Sequence, residues 1–242
     1  MSLVLEVCVD SPEGLRAAIA GGADRIELCA CLAVGGLTPS AGLISLAQLS
    51  PVPVYAIIRP RAGNFVYGAD DEAALLADIA AVRQAGLAGV VIGANHLDGR
   101  LDLELLKRMK DRAQGLGTTL HRAFDLVPDP HQALEDAIAL GVERVLTSGQ
   151  TPKAMDGLGL LHDLVAQARG RVSIMPGSGV NPENLGEVLR TTGATEVHSS
   201  CRALRSQSDE RAIAFGFQAP QDSETSAKIV RQMRQILDAY AD

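Results

Sequence analysis

The chain has 242 residues, 47% of them apolar, which is enough for a full core in one large α/β unit or two small ones. Its net charge of −7 excludes a general nucleic-acid or anionic-membrane partner, since either needs a basic surface. A small anionic ligand held by local charge is not excluded.

In chain order, short β-branched runs alternate with Ala- and Leu-rich amphipathic segments. Strands are expected near 3–8, 24–29, 53–58, 88–93, 117–121, 143–147, 171–175 and 194–198. Helices are expected near 12–21, 40–49, 71–86, 102–114, 130–140, 153–168, 182–192 and 223–240. The turns repeat as well: Gly22, Gly86, Gly141 and Gly193 each precede an apolar strand, as a left-handed helix terminator does. Ser11-Pro12, Asp129-Pro130, Thr151-Pro152 and Asn181-Pro182 read as a capping side chain followed by proline at the first helical position. Eight such βα units predict a single (β/α)8 TIM barrel filling residues 1–242 as one domain. An open doubly wound sheet is the competitor, but the first strand runs into "CVDSPEG" rather than a dinucleotide-binding G-x-G-x-x-G.

In such a barrel the chemistry belongs at the C-terminal strand ends. Leu5, Val7 and Val9 have the parity of a helix-facing surface, so Glu6 and Cys8 point inward, and Glu27 and Cys29 repeat the E-x-C pair on the second strand. The third strand ends with Arg59 and Arg61, the fifth with His121, Arg122 and Asp125, the sixth with Ser148, and the eighth with His198, Ser199 and Ser200. A carboxylate inside a barrel is costly unless paired, and the fork of Arg59 is the natural partner for Glu6 or Glu27. A purely structural ion-pair plug would explain part of this set. Acid–base work or anion binding explains the remainder, with Glu6, Glu27, Arg59, His121, Asp125 and His198 as catalytic candidates. "PGSGVNPEN" adds an anion cradle: Gly177, Ser178 and Gly179 before a helix opening at Pro182, beside Ser199, Ser200 and Arg202. Arg61, Arg122 and Ser148 complete the substrate-binding candidates.

No apolar run approaches the roughly 18 residues of a membrane span. The Leu3–Val9 stretch is broken by Glu6 and lacks a basic flank, so it does not read as a signal peptide. The four cysteines, Cys8, Cys29, Cys31 and Cys201, are therefore expected to be reduced thiols in the cytosol. If the barrel closes, they come from neighbouring strand ends, where thiolates select Cu(I) or zinc. The spacing lacks the paired C-x2-C units of a structural zinc site, and free cysteine also packs as a small hydrophobe.

Eight ordered segments, "LEVCVDS", "GADRIELC", "GGLTPS", "IIRPRAGNFVY", "HRAFD", "LTSGQ", "MPGSGVN" and "EVHSS", resemble the CutC family over nearly the whole chain. The resemblance implies an α/β barrel, a cytosolic location, a homo-oligomer (dimer or tetramer) and a link to copper homeostasis. It implies Cu(I) as the bound ion and Cys8 and Cys29 as its ligands. Cys31 and Cys201 stand where relatives commonly carry Ala, Asn or other small residues. The alternative from the residues themselves is a barrel enzyme of unstated reaction acting on a small anionic metabolite, phosphorylated ones included, with His121 or a glutamate as general base and Arg59 holding the anion.

Overall fold

The computed structural model describes residues 3–205 and 209–241. Eight strands form the barrel: β1 (Val4–Val9), β2 (Arg25–Leu28), β3 (Val54–Ile57), β4 (Gly89–Ile92), β5 (Gly117–Leu120), β6 (Arg144–Thr147), β7 (Ser173–Pro176) and β8 (Glu196–Ser199). Between them run α1 (Pro12–Gly21), α2 (Ala41–Ala47), α3 (Ala69–Gln84), α4 (Leu103–Arg112), α5 (Pro130–Leu140), α6 (Leu158–Ala168) and α7 (Leu185–Thr192). All paired barrel strands are parallel, in the order β7-β6-β5-β4-β3-β2-β1-β8, which is the expected TIM barrel.

The turn chemistry explains much of the regularity. Ser11 and Asp129 cap α1 and α5 with their side-chain oxygens ahead of proline. Gly22, Gly86, Gly141 and Gly193 all take left-handed backbone angles, φ between 69° and 93°. Two expected starts are corrected. After Thr151-Pro152 the chain makes only a short 3-10 turn before α6, because the Thr151 hydroxyl turns back to the carbonyls of Ser148 and Lys153. The helix expected at Pro182 begins at Leu185, because Asn181 Oδ1 accepts from the amides of Glu183 and Asn184 in a local turn.

The helix-facing residues of the strands form the main core, with Leu5, Val7, Ile26, Leu28, Val90, Ile92, Leu120, Val145 and Val197 all at or near zero exposure. The opposite parity fills the barrel axis. Tyr55 occupies space that glycine leaves open on the next two strands: a Cβ on Gly89 or Gly117 would lie 2.1 Å from its ring or hydroxyl. One bulky side chain thus fills the space that two adjacent glycines leave in this interior layer.

The barrel closes between β7 and β8, which lie side by side without a hydrogen-bonded ladder. Ser173 and Gly177 donate their amides toward β6, so the alternate residues Ile174 and Pro176 face β8. Pro176 has no N–H to give. After β8, an insertion of β9 (Arg202–Leu204), α8 (Glu210–Ala214) and β10 (Ser223–Thr225) precedes α9 (Ala227–Ala241). Residues 223–225, expected as the start of the last helix, instead pair antiparallel with β9.

Candidate functional site at the barrel mouth

The site is built on a column of charged side chains along the barrel axis. Glu6 is fully buried and accepts from Arg25 Nε; Arg25 Nη2 also donates to Glu196. Arg144 joins Glu196 at 3.2 Å and Thr119 at 3.0 Å, with its guanidinium 4.8 Å from the Tyr55 ring centroid. Arg25 is the residue register-paired with Glu6 on β2, and it shares the inward parity of Glu27. The expectation that Arg59 partners Glu6 or Glu27 is therefore corrected. Arg59 lies beyond the end of β3, and its Nη groups donate to the carbonyls of Val34, Gly36 and Gly63 at 2.7–3.0 Å.

On top of Glu6 stands His198, 8% exposed, with Nδ1 2.8 Å from Glu6 Oε1 and Nε2 3.7 Å from Glu27 Oε2. Burial raises the cost of ionising Glu6, but Arg25 and then His198 outweigh it and hold the carboxyl down at about 2. Glu27 has no such cation beneath it; burial pushes its carboxyl up to about 7 against the pull of His198. Burial also opposes charge on His198, yet Cys8, Glu6 and Glu27 together hold its imidazole well above its ordinary value.

Cys8 completes the group. One donor atom each from Cys8, Glu27 and His198 lies within 4.8 Å of the others, and all three side chains border the same cavity. Cys29 is not part of this cluster. Its thiol is fully buried, 3.6 Å from Glu27 Oε2, and packs with Tyr55, Ile57 and Val91; burial, then Glu27, push it well above the usual thiol range.

The cavity has a volume of about 510 Å³ and opens at the C-terminal strand ends. Arg59, His121, Arg122, Ser178, Gly179, Ser199 and Ser200 reach it, as does Arg202 from the insertion. Several expected site residues stand behind its wall instead. Asp125 is saturated by Arg122, Thr147, Ser148 and Gln150, and Ser148 is fully buried in the same network, so both hold loops in place. Arg61 turns away to Asp71 and the Val66 carbonyl. Gly177 serves packing: a Cβ there would lie 2.5 Å from Leu146 Cδ1 and 3.3 Å from His198 Cβ. The 177–181 cradle offers no free helix start, because the first amides of that turn are taken by Asn181. Sequence reasoning missed Arg25, Phe65 and Gly93. The parity of Arg25 with Glu27 is a signal that was present. Gly93 follows β4 directly, where a Cβ would fall 2.2 Å from His121 Cε1, a constraint that no single segment displays.

The CutC family model matches residues 3–203. A CutC family protein of Sinorhizobium medicae is 54% identical over 99% of this chain and 98% of its own length. Another, from Caulobacter vibrioides, is 52% identical over 98% of each. A solved structure from Streptococcus agalactiae, named as a copper homeostasis protein CutC, is 30% identical with a TM-score of 0.79, over 82% of this chain and 98% of that one. A thiamine phosphate pyrophosphorylase from Pyrococcus furiosus has a TM-score of 0.61 at 17% identity, a likeness of fold alone.

Proposed function

The chain belongs to the CutC family, and from that premise we propose that it binds one copper ion at the barrel mouth through Cys8, His198 and Glu27. The observation that supports this reading is the convergence of one sulfur, one nitrogen and one oxygen donor within 4.8 Å, on the border of an open cavity. The donor set fits the ion. Thiolate and imidazole are the ligands Cu(I) prefers, and the carboxylate of Glu27 would serve a divalent ion better than a monovalent one. Glu6, holding Nδ1 of His198, plays the outer-shell part that fixes a ligating imidazole and leaves Nε2 for the metal. Three protein ligands with cavity on the remaining side leave a coordination position for an incoming partner or substrate.

Binding must displace the protons that burial favours on Glu27 and that the neighbouring acidic groups hold on His198, so affinity rises with pH. The test is a competition titration with a Cu(I) chelator under reducing conditions. Wild type is expected to take one equivalent. Cys8→Ser should weaken it at least about tenfold, because a hydroxyl is a poor soft ligand, while Cys29→Ser leaves it within about threefold. Equal affinity of wild type and Cys8→Ser removes this site from consideration.

No helix of the described residues is long and apolar enough to cross a membrane. The reading takes the protein as cytosolic, as the family resemblance implies. It also takes the protein as a homo-oligomer, dimer or tetramer. Leu204, Phe215 and Phe217, 67–85% exposed on the insertion, supply apolar surface for a second copy, which sedimentation analysis would detect.

A further inference from the structure

A different wall of the cavity, on the β3 and β5 side, carries two donors that the metal reading does not use. Arg59 is 5% exposed, and among the described residues no carboxylate lies within ion-pair distance of it. Its Nη groups are spent on three backbone carbonyls, which orient a guanidinium but carry no compensating unit charge. The Phe65 ring, 5.0 Å away, offers a cation–π contact, and Nε is buried without a hydrogen-bond partner among the described residues. Next to it stands His121, 3% exposed, its ring centroid 4.7 Å from that of Phe65.

The tautomer of His121 follows from its hydrogen bonds. Nδ1 accepts from the Ala123 amide at 3.1 Å, so the ring proton sits on Nε2. Burial, then the charge of Arg59, hold the imidazole down at about 3, so it stays neutral through the working range. Nε2–H is thus a permanent donor, and it is buried with no acceptor among the described residues. A buried donor without an acceptor costs free energy, and one that borders a cavity points to an acceptor from outside.

We propose that this wall binds the anionic oxygens of a small molecule, a phosphate or carboxylate group, with Arg59 supplying the charge and His121 Nε2–H a directed hydrogen bond. A cation beside a fixed neutral donor selects an anion over a neutral or cationic group. The carboxylates on the same cavity do not oppose this, because each already has a partner: Glu27 faces His198, and Asp222 pairs with Arg205 at 3.0 Å and Arg202 at 4.0 Å. The volume of about 510 Å³ suits a metabolite-sized molecule. Gly93 has a role in this arrangement, since only a missing Cβ lets the His121 ring seat against β4. The site does not rest on the copper reading. An anion held here shares its cavity with Cys8, Glu27 and His198, which makes the mouth a place for a small anionic substrate beside those groups.

The test uses the full chain, freed of metal by dialysis, in calorimetric titrations with inorganic phosphate, glycerol phosphate and succinate at constant ionic strength. At least one should bind with a dissociation constant below about 1 mM, within reach of metabolite concentrations. His121→Phe keeps the ring and removes the donor, and should weaken binding by about tenfold to a hundredfold, the range for a hydrogen bond to a charged group. His121→Gln, which restores an N–H, should recover part of that loss. Arg59 also pins two loops, so Arg59→Lys is read only alongside its melting curve. Tighter binding of glycerol phosphate than succinate assigns the phosphate class, and the reverse order the carboxylate class. If none of the three anions binds wild type, or if His121→Phe binds as wild type does, the inference is overturned. Because no copper is present, neither result bears on the metal site.

Discussion

Removing the Arg25 guanidinium would leave Glu6 and Glu196 inside the barrel without the cation that lies between them. Breaking a buried pair from one side costs roughly 3–5 kcal/mol, so Arg25→Met should lower unfolding stability by that order in urea. The same contact sets an acid limit. Glu6 is depressed from 4.5 to about 2, so its contribution is complete above 4.5 and is lost as pH falls through the folded value near 2. Metal-free wild type should therefore lose stability steeply between these pH values, and Glu6→Gln should show a shallower slope there. Equal slopes in urea titrations across that range would mean that Glu6 is not held ionised.

At the scale of elements, the insertion of β9, α8 and β10 folds a flap of chain over one side of the mouth. It is fastened by Arg202, whose guanidinium donates to the Ser223 hydroxyl at 2.9 Å and to the Ser223 carbonyl, and reaches Asp10 at 3.5 Å. These groups are half-buried and outside the barrel core, so Arg202→Ala should shift global stability by less than about 1 kcal/mol. Limited proteolysis should nevertheless cut the insertion several-fold faster, because local opening no longer has to break the clasp. A protease pattern identical to wild type would show that the flap is held elsewhere. Turn chemistry behaves differently. Gly22 and Gly141 stop α1 and α5 with left-handed caps and set their lengths from within the chain.

At the scale of the whole molecule, the barrel was legible because its pattern repeats. Each unit restates the same alternation, and inward parity alone placed Glu6, Cys8 and Glu27 on the axis. The mouth was less legible because its contacts join distant strands. Arg59 lies in a segment that shows its charge but not that Val34, Gly36 and Gly63 would turn their carbonyls to it. The Cys8–Glu27–His198 cluster spans 190 residues of sequence from the first strand to the last, and no local spacing encodes it. The β9–β10 pairing was missed because its strands have three residues each and lie 18 residues apart, too short and too separate for a periodic signal.

The unladdered junction of β7 and β8 makes the barrel a split ring rather than a hoop. His198 rides on β8, which is stitched to β1, so Glu6, Cys8 and His198 belong to one hydrogen-bonded side of the gap. Ser178 and Gly179 follow β7 and belong to the other. The described hydrogen bond across the gap runs from Ser199 Oγ to the Val180 carbonyl at 2.7 Å. A split ring widens at its gap under the least force, so opening is expected first there, where the donor cluster on β1, β2 and β8 is not divided. Ser199→Ala removes that catch. The same hydroxyl accepts from the Cys201 amide at 3.1 Å, so amide exchange at 178–181 and in β8 should quicken by about fivefold to a hundredfold, the equivalent of one to two lost hydrogen bonds, while β3 and β4 exchange as before. Uniform acceleration around the barrel would instead mean that the ring yields everywhere at once.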